Sequence, residues 1–477
     1  MIALDGPALE PAVAARRAAA APGAFWLSAP GADEVTIARD VVGAEPARVV
    51  RGDSVAALER AWLEERARWG PLEGRGSGGA PPGVPIAAGW LSYELGRPWM
   101  GLPPRALDAV VAPFAPLEFH FHDAVWVRPV GGPATIFARD EAAARRLRAR
   151  LESDVPRASA ATPPGALTPD HEARLYLEGA RRVLAYLGAG DAYQVNLARR
   201  ASAPFGGAAV ELAVALRARA PAPHAAFIAS ADGAAALVGN SPERFLALDG
   251  RGAVETRPIK GTHAVYPGTL GGSPNPPALA SAGEAGSIYP GTLGGSPNPP
   301  GLASAGEARL RSGRDELLAS AKDRAEHVMI VDLERNDLGR VCQTGSVGVE
   351  GVARVLDLPT VHHLVTTVRG RLRPEVGLVE LLAATFPGGS ITGAPKRRAM
   401  QIIDELEPVA RGPYTGATGW LGAAGDLDLA VAIRTALVSG GRLSLSLGGG
   451  IVADSTPEDE WAETEVKALA FARLCGA

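Results

Sequence analysis

Lysine is nearly missing from this chain. Of 48 cationic side chains only four are lysine, Lys260, Lys322, Lys396 and Lys467, and all the rest are arginine. Arginine keeps its proton in any protein setting, whereas a lysine amine can give its proton up. Each lysine therefore marks a candidate place where arginine would not serve. Cysteine is scarcer still: Cys342 and Cys475 are the whole complement, which excludes a disulfide framework. Cys342 reads as a small buried residue rather than a nucleophile. No G-x-S-x-G or G-x-C-x-G elbow occurs, so a hydrolase nucleophile of that type is excluded. No apolar run reaches 18 residues, which excludes a transmembrane helix. The net charge of −4 offers no basic excess for nucleic acid. The N-terminal Met1-Ile2-Ala3-Leu4-Asp5 lacks the basic and apolar parts of a signal peptide. The expectation is a cytoplasmic protein with neither a membrane nor a nucleic-acid partner.

What is present fits a soluble globular chain: 477 residues, 47% hydrophobic and 21% charged, enough for a sizeable core. Residues 54–68 read as an amphipathic helix capped by Ser54. Ile86 to Glu94 reads as a buried strand, Phe119 to Val130 as another, and Thr135 to Ala138 as its hairpin partner. Glu141 to Leu151 reads as a helix, and 154–167, rich in Pro, Ala and Ser, as a linker. Thr168-Pro169 reads as a cap with Pro at the first helical position, the helix running to about Leu187. Strands are then expected at Tyr193–Leu197, His224–Ser230, Ala235–Gly239, Arg244–Leu248 and Gly252–Arg257. Many short strands followed by alternating helices and strands predict an α+β fold with large, mostly antiparallel sheets. One repeat interrupts the pattern: Tyr266–Ala285 recurs as Tyr289–Ala308 with Ala278 changed to Gly301. Two copies full of Gly, Ser and Pro cannot stack a core, so 266–308 reads as a duplicated flexible loop.

Two helices present acidic pairs at i, i+3: Asp323 with Glu326, and Glu460 with Glu463. Residues so spaced share a helix face. Either pair alone can be a solvated acidic face, whereas the two helices brought together would form an oxygen-only site suited to Mg²⁺. Two glycine-rich turns are expected to offer backbone N–H groups to an anion: Phe386 to Lys396, which contains Thr392 and Gly393 and leads into a helix, and Gly448-Gly449-Gly450 after a strand. The alternative for both is tight-turn glycine. His362 and His363 are adjacent on a predicted strand and point to opposite faces, so they do not share one metal.

Taken together, these stretches resemble the chorismate-utilising enzymes, which include anthranilate synthase component I, aminodeoxychorismate synthase component I, and the isochorismate and salicylate synthases. The resemblance runs from about Thr168 to the C-terminus. It rests on Gly190 to Leu197, Ser241-Pro242-Glu243-Arg244-Phe245, Pro258-Ile259-Lys260-Gly261-Thr262, Ala321 to Glu326, Asp332 to Arg340, Phe386 to Lys396, Ala432 to Ala436 and Gly448 to Lys467. Residues 1–150 resemble the family's variable N-terminal part weakly. The resemblance implies sheets packed as a sandwich with helices outside. It also implies an N-terminal region 1–153, the linker, and a chorismate-binding catalytic region 168–477. Gln194 stands where the water-using members carry a lysine base. Lys260, in its Pro-Ile-Lys-Gly-Thr setting, marks the aminodeoxychorismate branch.

By that resemblance Lys260 is a nucleophile that forms a covalent adduct at C2 of chorismate before ammonia attacks C4, and Glu243 is the general acid/base. Glu326 and Glu463 match Mg²⁺ ligands, with Asp323 and Glu460 close by through water. Arg434, Lys467, Tyr414, Thr392 and the Gly448–Gly450 amides match positions that hold substrate carboxylates, and His363 matches an active-site histidine. Ammonia is expected from a separate glutamine amidotransferase (glutaminase) subunit, and the product to serve 4-aminobenzoate and folate synthesis. In some members Trp90-Leu91-Ser92-Tyr93-Glu94 would lie near a tryptophan pocket, which places Ser92, Tyr93 and Glu94 as candidates here. The competing functions are anthranilate synthase component I and a non-catalytic chorismate-binding regulatory subunit.

Overall fold

A computed structural model describes residues 1–29, 39–71, 82–154, 164–264, 313–357 and 361–475. The duplicated loop at 266–308 and most of the 154–167 linker lie outside the described residues. The described strands form two antiparallel sheets, one of twelve strands and one of ten. Phe25, Val41, Val125 and Val127 from the first meet Ile86, Trp90, Phe119 and Phe121 from the second in one core. The helices Pro11–Ala18, Glu141–Glu152, Ala209–Arg219 and Pro457–Ala472 cover the other face of the twelve-stranded sheet with a second core of Trp126, Leu147, Leu212 and Phe471. The α+β fold expected from the strand and helix pattern, packed as the sandwich that the resemblance implies, is therefore what the chain forms. Strands from 1–153 and from 168–477 pair with one another in both sheets. Phe25–Ser28 hydrogen-bonds to His224–Ala229, and Pro85–Leu91 to Ala417–Gly422.

Local rules set most boundaries. Ser54 caps the Val55–Trp69 helix by accepting from the Ala57 amide, and Asp140 caps Glu141–Glu152 in the same way. Three expectations need correction. The stretch from Phe119 to Val130 is two strands, Leu117–Phe121 in the ten-stranded sheet and Ala124–Pro129 in the twelve-stranded one. The chain changes sheets at His122-Asp123, but apolar alternation continues because both strands line the same core, so period alone cannot register the switch. Thr168-Pro169 is a short strand on Gln194–Pro204, held there by Asp170, whose amide donates to the Arg200 carbonyl and whose carboxylate accepts from the Arg200 guanidinium at 2.8 Å. The helix starts later, at Ala173. The Ile86 strand ends at Leu91, and Tyr93–Gly96 is a 3₁₀ turn.

Gly89 shows how closely the strands approach. It pairs with Phe119 on one side and Gly419 on the other, and an added Cβ would run into the Glu118 carbonyl oxygen and lie 2.7 Å from the Phe119 ring. Gly89→Ala is expected to cost about 1–3 kcal/mol through overpacking, read as a lower denaturant midpoint. A midpoint that does not move would show that the strands part freely there.

Candidate active site

The two sheets and two helices converge on a pocket of about 360 Å³, within the range of small-molecule sites. Lys260 comes from the strand Ile259–Ala264, at a bulge in its pairing with Val361–Arg371, which carries His363. Asn196 and Gly448 with Gly450 come from the strands Gln194–Pro204 and Arg442–Ile451. The helix Ala321–Gly339 brings Lys322, Asp323 and Glu326, and Pro457–Ala472 brings Glu460, Glu463 and Lys467. Each helix is capped, by Ser320 and by Thr456. The acidic pairs that sequence spacing put on one face thus meet across the pocket.

The groups here are charged and largely withdrawn from water. Lys260 Nζ lies 3.8 Å from Glu326 Oε2, and Lys467 Nζ lies 2.6 Å from Glu463 Oε1 while donating to the Gly448 carbonyl at 2.7 Å. Burial pushes Glu326 up, against the pull of Lys260 and Lys322. Burial raises Glu460, and neighbouring Glu463 adds to it. For Glu463 burial also pushes up, but Lys467, with Lys260 and Lys322, outweighs it and holds the carboxyl below its ordinary value. Glu243 is 3% exposed. Its Oε1 accepts the Ser390 hydroxyl at 2.6 Å. Burial moves it up to about 7 despite that bond and the charges of Lys260 and Arg434. A carboxyl titrating near neutrality can both give and take a proton.

His363 uses both ring nitrogens. Nδ1 is 2.8 Å from the Gly261 carbonyl, and Nε2 is 3.0 Å from Nη2 of Arg434. Burial and Arg434 lower its pKa to about 3, so the ring is neutral, donating through Nδ1 and accepting at Nε2. Its neighbour His362 faces the other way, onto Asp357 at 2.6 Å, as the strand alternation requires. Arg434 itself holds φ +49°, a left-handed backbone that non-glycine residues adopt at a cost.

Some expected residues stand elsewhere. Gly448–Gly450 is not a turn but the interior of a strand, paired with Ala198, Leu197 and Asn196. Its glycines make room: an added Cβ would lie 2.8 Å from the Tyr414 hydroxyl at Gly448, 2.6 Å from Glu460 Oε2 at Gly449, and 2.6 Å from Lys260 Nζ at Gly450. Gly449 therefore faces the Pro457–Ala472 helix, whereas Gly448 and Gly450 form the pocket floor. Tyr414 lines the pocket, its hydroxyl pKa raised by burial. Thr392 does not line it; its hydroxyl donates to the Gly388 carbonyl, and Gly393 pairs with Val195 behind it. Gln194 is fully buried beside the floor, its Nε2 2.7 Å from the same added Cβ at Gly450, and neither side-chain polar atom has a partner. Lys396 is buried against Asp337 at 2.5 Å and the Thr385 carbonyl, away from the pocket. Cys342 is buried, its thiol pushed up to about 11.

Lys322, marked out by the scarcity of lysine, lines the pocket, and three further polar residues that were not singled out line it too: Asn196, Ser390 and Ser446. Asn196 could have been found, since it lies two residues from Gln194 on the same strand face. Ser92, Tyr93 and Glu94 do not border this pocket: the Ser92 hydroxyl donates to the Ala115 carbonyl and Glu94 accepts from the Arg411 amide. They are also absent from the larger cavity between the sheets, about 470 Å³, which Leu27, Arg39, His224 and Trp420 line.

Because Lys260 Nζ is the far end of a flexible chain, Gly450→Ala should displace the amine rather than the fold. The expected result is a loss of turnover of about tenfold or more with little change in melting temperature. Full turnover would show that the amine does not need that space.

A profile for chorismate binding enzymes matches residues 23–473. The chain is 39% identical over 380 residues to aminodeoxychorismate synthase component 1 of Klebsiella aerogenes, covering 79% of this chain and 74% of that protein. It is 37% identical over 415 residues to anthranilate synthase component 1 of Streptomyces coelicolor, covering 82% and 73%. Among solved structures, anthranilate synthase component I from Streptococcus pneumoniae TIGR4 is similar with a TM-score of 0.71 at 25% identity, over 93% of this chain and 94% of that one. With the matching profile spanning the carboxylates, the lysines and the glycine floor alike, this chain belongs to the family of chorismate binding enzymes.

Proposed function

We propose that this chain is component 1 of an aminodeoxychorismate synthase, converting chorismate and ammonia to 4-amino-4-deoxychorismate and water. The observation that carries the reading is the Lys260 amine inside the pocket beside Glu326, on the same chain as a Glu243 that titrates near neutrality. Relatives bearing this name at 37% and 39% identity support it. A lysine amine can add to carbon, which a guanidinium cannot.

The chemistry follows from these groups. Arg434, held by His363, and Lys467, held by the Gly448 carbonyl, meet the substrate carboxylates. The Lys260 amine forms a bond to C2 as Glu243 gives its proton to the C4 hydroxyl. Both double bonds of the ring diene shift, from C1=C2 and C5=C6 to C1=C6 and C4=C5, as the C4–O bond breaks and water leaves. Ammonia then forms a bond to C4, both double bonds shift back, and the C2–N bond breaks to release Lys260. The surplus proton on the new amine returns to Glu243. The two displacements across the diene cancel, so nitrogen ends on the carbon that lost oxygen. Gln194 and Asn196, each with a side-chain oxygen lacking a partner, offer acceptors for the incoming amine. His363 orients Arg434 and leaves proton transfer to Glu243.

The donor set suits a hard divalent cation. Glu460 has a buried oxygen with no partner, and Glu326 and Glu460 are both raised by burial and by neighbouring carboxylates. Mg²⁺ takes few protein ligands and keeps several waters. Glu326 and Glu463 would hold it, with Asp323 and Glu460 behind, and it would supply positive charge toward the ring carboxylate. Ammonia would come from a glutamine amidotransferase subunit docked to this chain, and the product would feed 4-aminobenzoate and folate synthesis.

Incubation with chorismate, Mg²⁺ and an ammonium salt should yield 4-amino-4-deoxychorismate, and Lys260→Ala should lose amination by about a hundredfold or more. Anthranilate as the product, or full activity without Lys260, overturns the reading; no product at all favours a binding subunit. The general acid must be protonated, so kcat/KM should fall as pH rises above about 7, where Glu243 ionises. The same limb should be missing from the residual activity of Glu243→Gln.

A further inference from the structure

We infer that Glu334 is a positioning residue for Glu243: it fixes the Gly389–Ile391 turn so that the Ser390 hydroxyl is aimed at the Glu243 carboxylate. This rests on the reading of Glu243 as the general acid. Glu334 lies two turns beyond Glu326 on the same face of the Ala321–Gly339 helix. It is 3% exposed and reaches no substrate pocket. Its Oε1 accepts the Gly389 amide at 2.8 Å, and the next residue, Ser390, donates to Glu243 at 2.6 Å. One covalent step thus separates the two hydrogen bonds.

The segment that carries Ser390 is held at both ends by the same helix. Lys396 Nζ bonds Asp337 and also the Thr385 carbonyl, tying the start of one helix to the end of another. Asp337 therefore pins the ends of the 385–396 segment and Glu334 its middle. Gly389 is fitted to this contact, because an added Cβ would lie 2.6 Å from Leu333 and 3.1 Å from Glu334 Oε1. Glu334 faces Asp337, Lys396, the Gly389 amide and Glu243, whereas Glu243 faces Ser390, Lys260, the Ile259 amide and Arg434. Burial, with Asp337 next, raises Glu334 and favours its neutral form. A neutral side chain that still offers an oxygen to Gly389 is what glutamine reproduces.

The test compares three variants by kcat/KM against pH, with chorismate and an ammonium salt. Glu334→Met keeps the volume and removes the acceptor, Glu334→Gln keeps an acceptor, and Ser390→Ala removes the hydroxyl. Ser390 stabilises the ionised carboxylate, so losing it raises the pKa of Glu243. The high-pH limb should move up by about one unit, with kcat about tenfold lower and KM for chorismate little changed. Glu334→Met should reproduce both effects and Glu334→Gln neither. Adding Glu334→Met to Ser390→Ala should move the limb no further. If Met is not accommodated, Glu334→Leu serves the same purpose. A limb that moves in Ser390→Ala but stays in place in Glu334→Met, or a further shift in the double variant, overturns the inference. A limb that moves in neither removes the role of Glu243 on which it stands.

Discussion

A carboxylate taken out of water must find a cation or a hydrogen-bond donor, or give up its charge. Several in this protein face that requirement within one pocket and its supporting wall, and each meets it differently. Glu463 keeps its charge beside Lys467, and Glu326 lies toward Lys260. Glu243 takes the Ser390 hydroxyl and titrates near neutrality. Asp337, in the wall, pairs with Lys396. Three of the four lysines are thus partners of acids in or behind the pocket, and the fourth, Lys322, stands at its edge. Lysine is a compact point charge, whereas arginine is a wide fork. The scarcity of lysine and the crowding of acids are therefore two sides of one constraint.

Much of this was legible in the sequence, and for local reasons. The i, i+3 acids had to share a helix face, and Ser320 and Thr456 cap the helices that carry them. Adjacent histidines on a strand had to diverge, and they do. What escaped depends on distant partners. Gly448–Gly450 looks like a turn until the Glu460, Lys260 and Tyr414 side chains are laid against it, after which only a strand without side chains fits. Glu334 could not be distinguished from any helical glutamate, because the amide it accepts is 55 residues away. Thr168-Pro169 shows the opposite failure: a sound local signal for a helix start yields to an ion pair between Asp170 and Arg200.

The histidine illustrates how geometry refines a role. A family likeness places His363 in the site, but only its two hydrogen bonds show that the ring joins the Gly261 carbonyl to the Arg434 guanidinium. Lys260 precedes Gly261, so the same ring touches the segment of the proposed nucleophile and the cation proposed to meet substrate. Arg434 is held in a backbone conformation it would not choose alone. The imidazole and the strained arginine together set where a carboxylate can sit relative to the amine.

The pairing of early strands with late ones has a consequence for how the chain is made. Phe25–Ser28 needs His224–Ala229 as a neighbour, and Pro85–Leu91 needs Ala417–Gly422. Contact order this high slows folding, because distant segments must meet before either gains stability. On a ribosome working from the N-terminus, the Pro85–Leu91 strand meets Leu117–Phe121 early but emerges more than three hundred residues before Ala417–Gly422, its partner on the other side. Until then its seven buried residues lie on an open sheet edge. Such edges join one another when they meet, so the nascent chain carries an association-prone edge until Ala417–Gly422 is made.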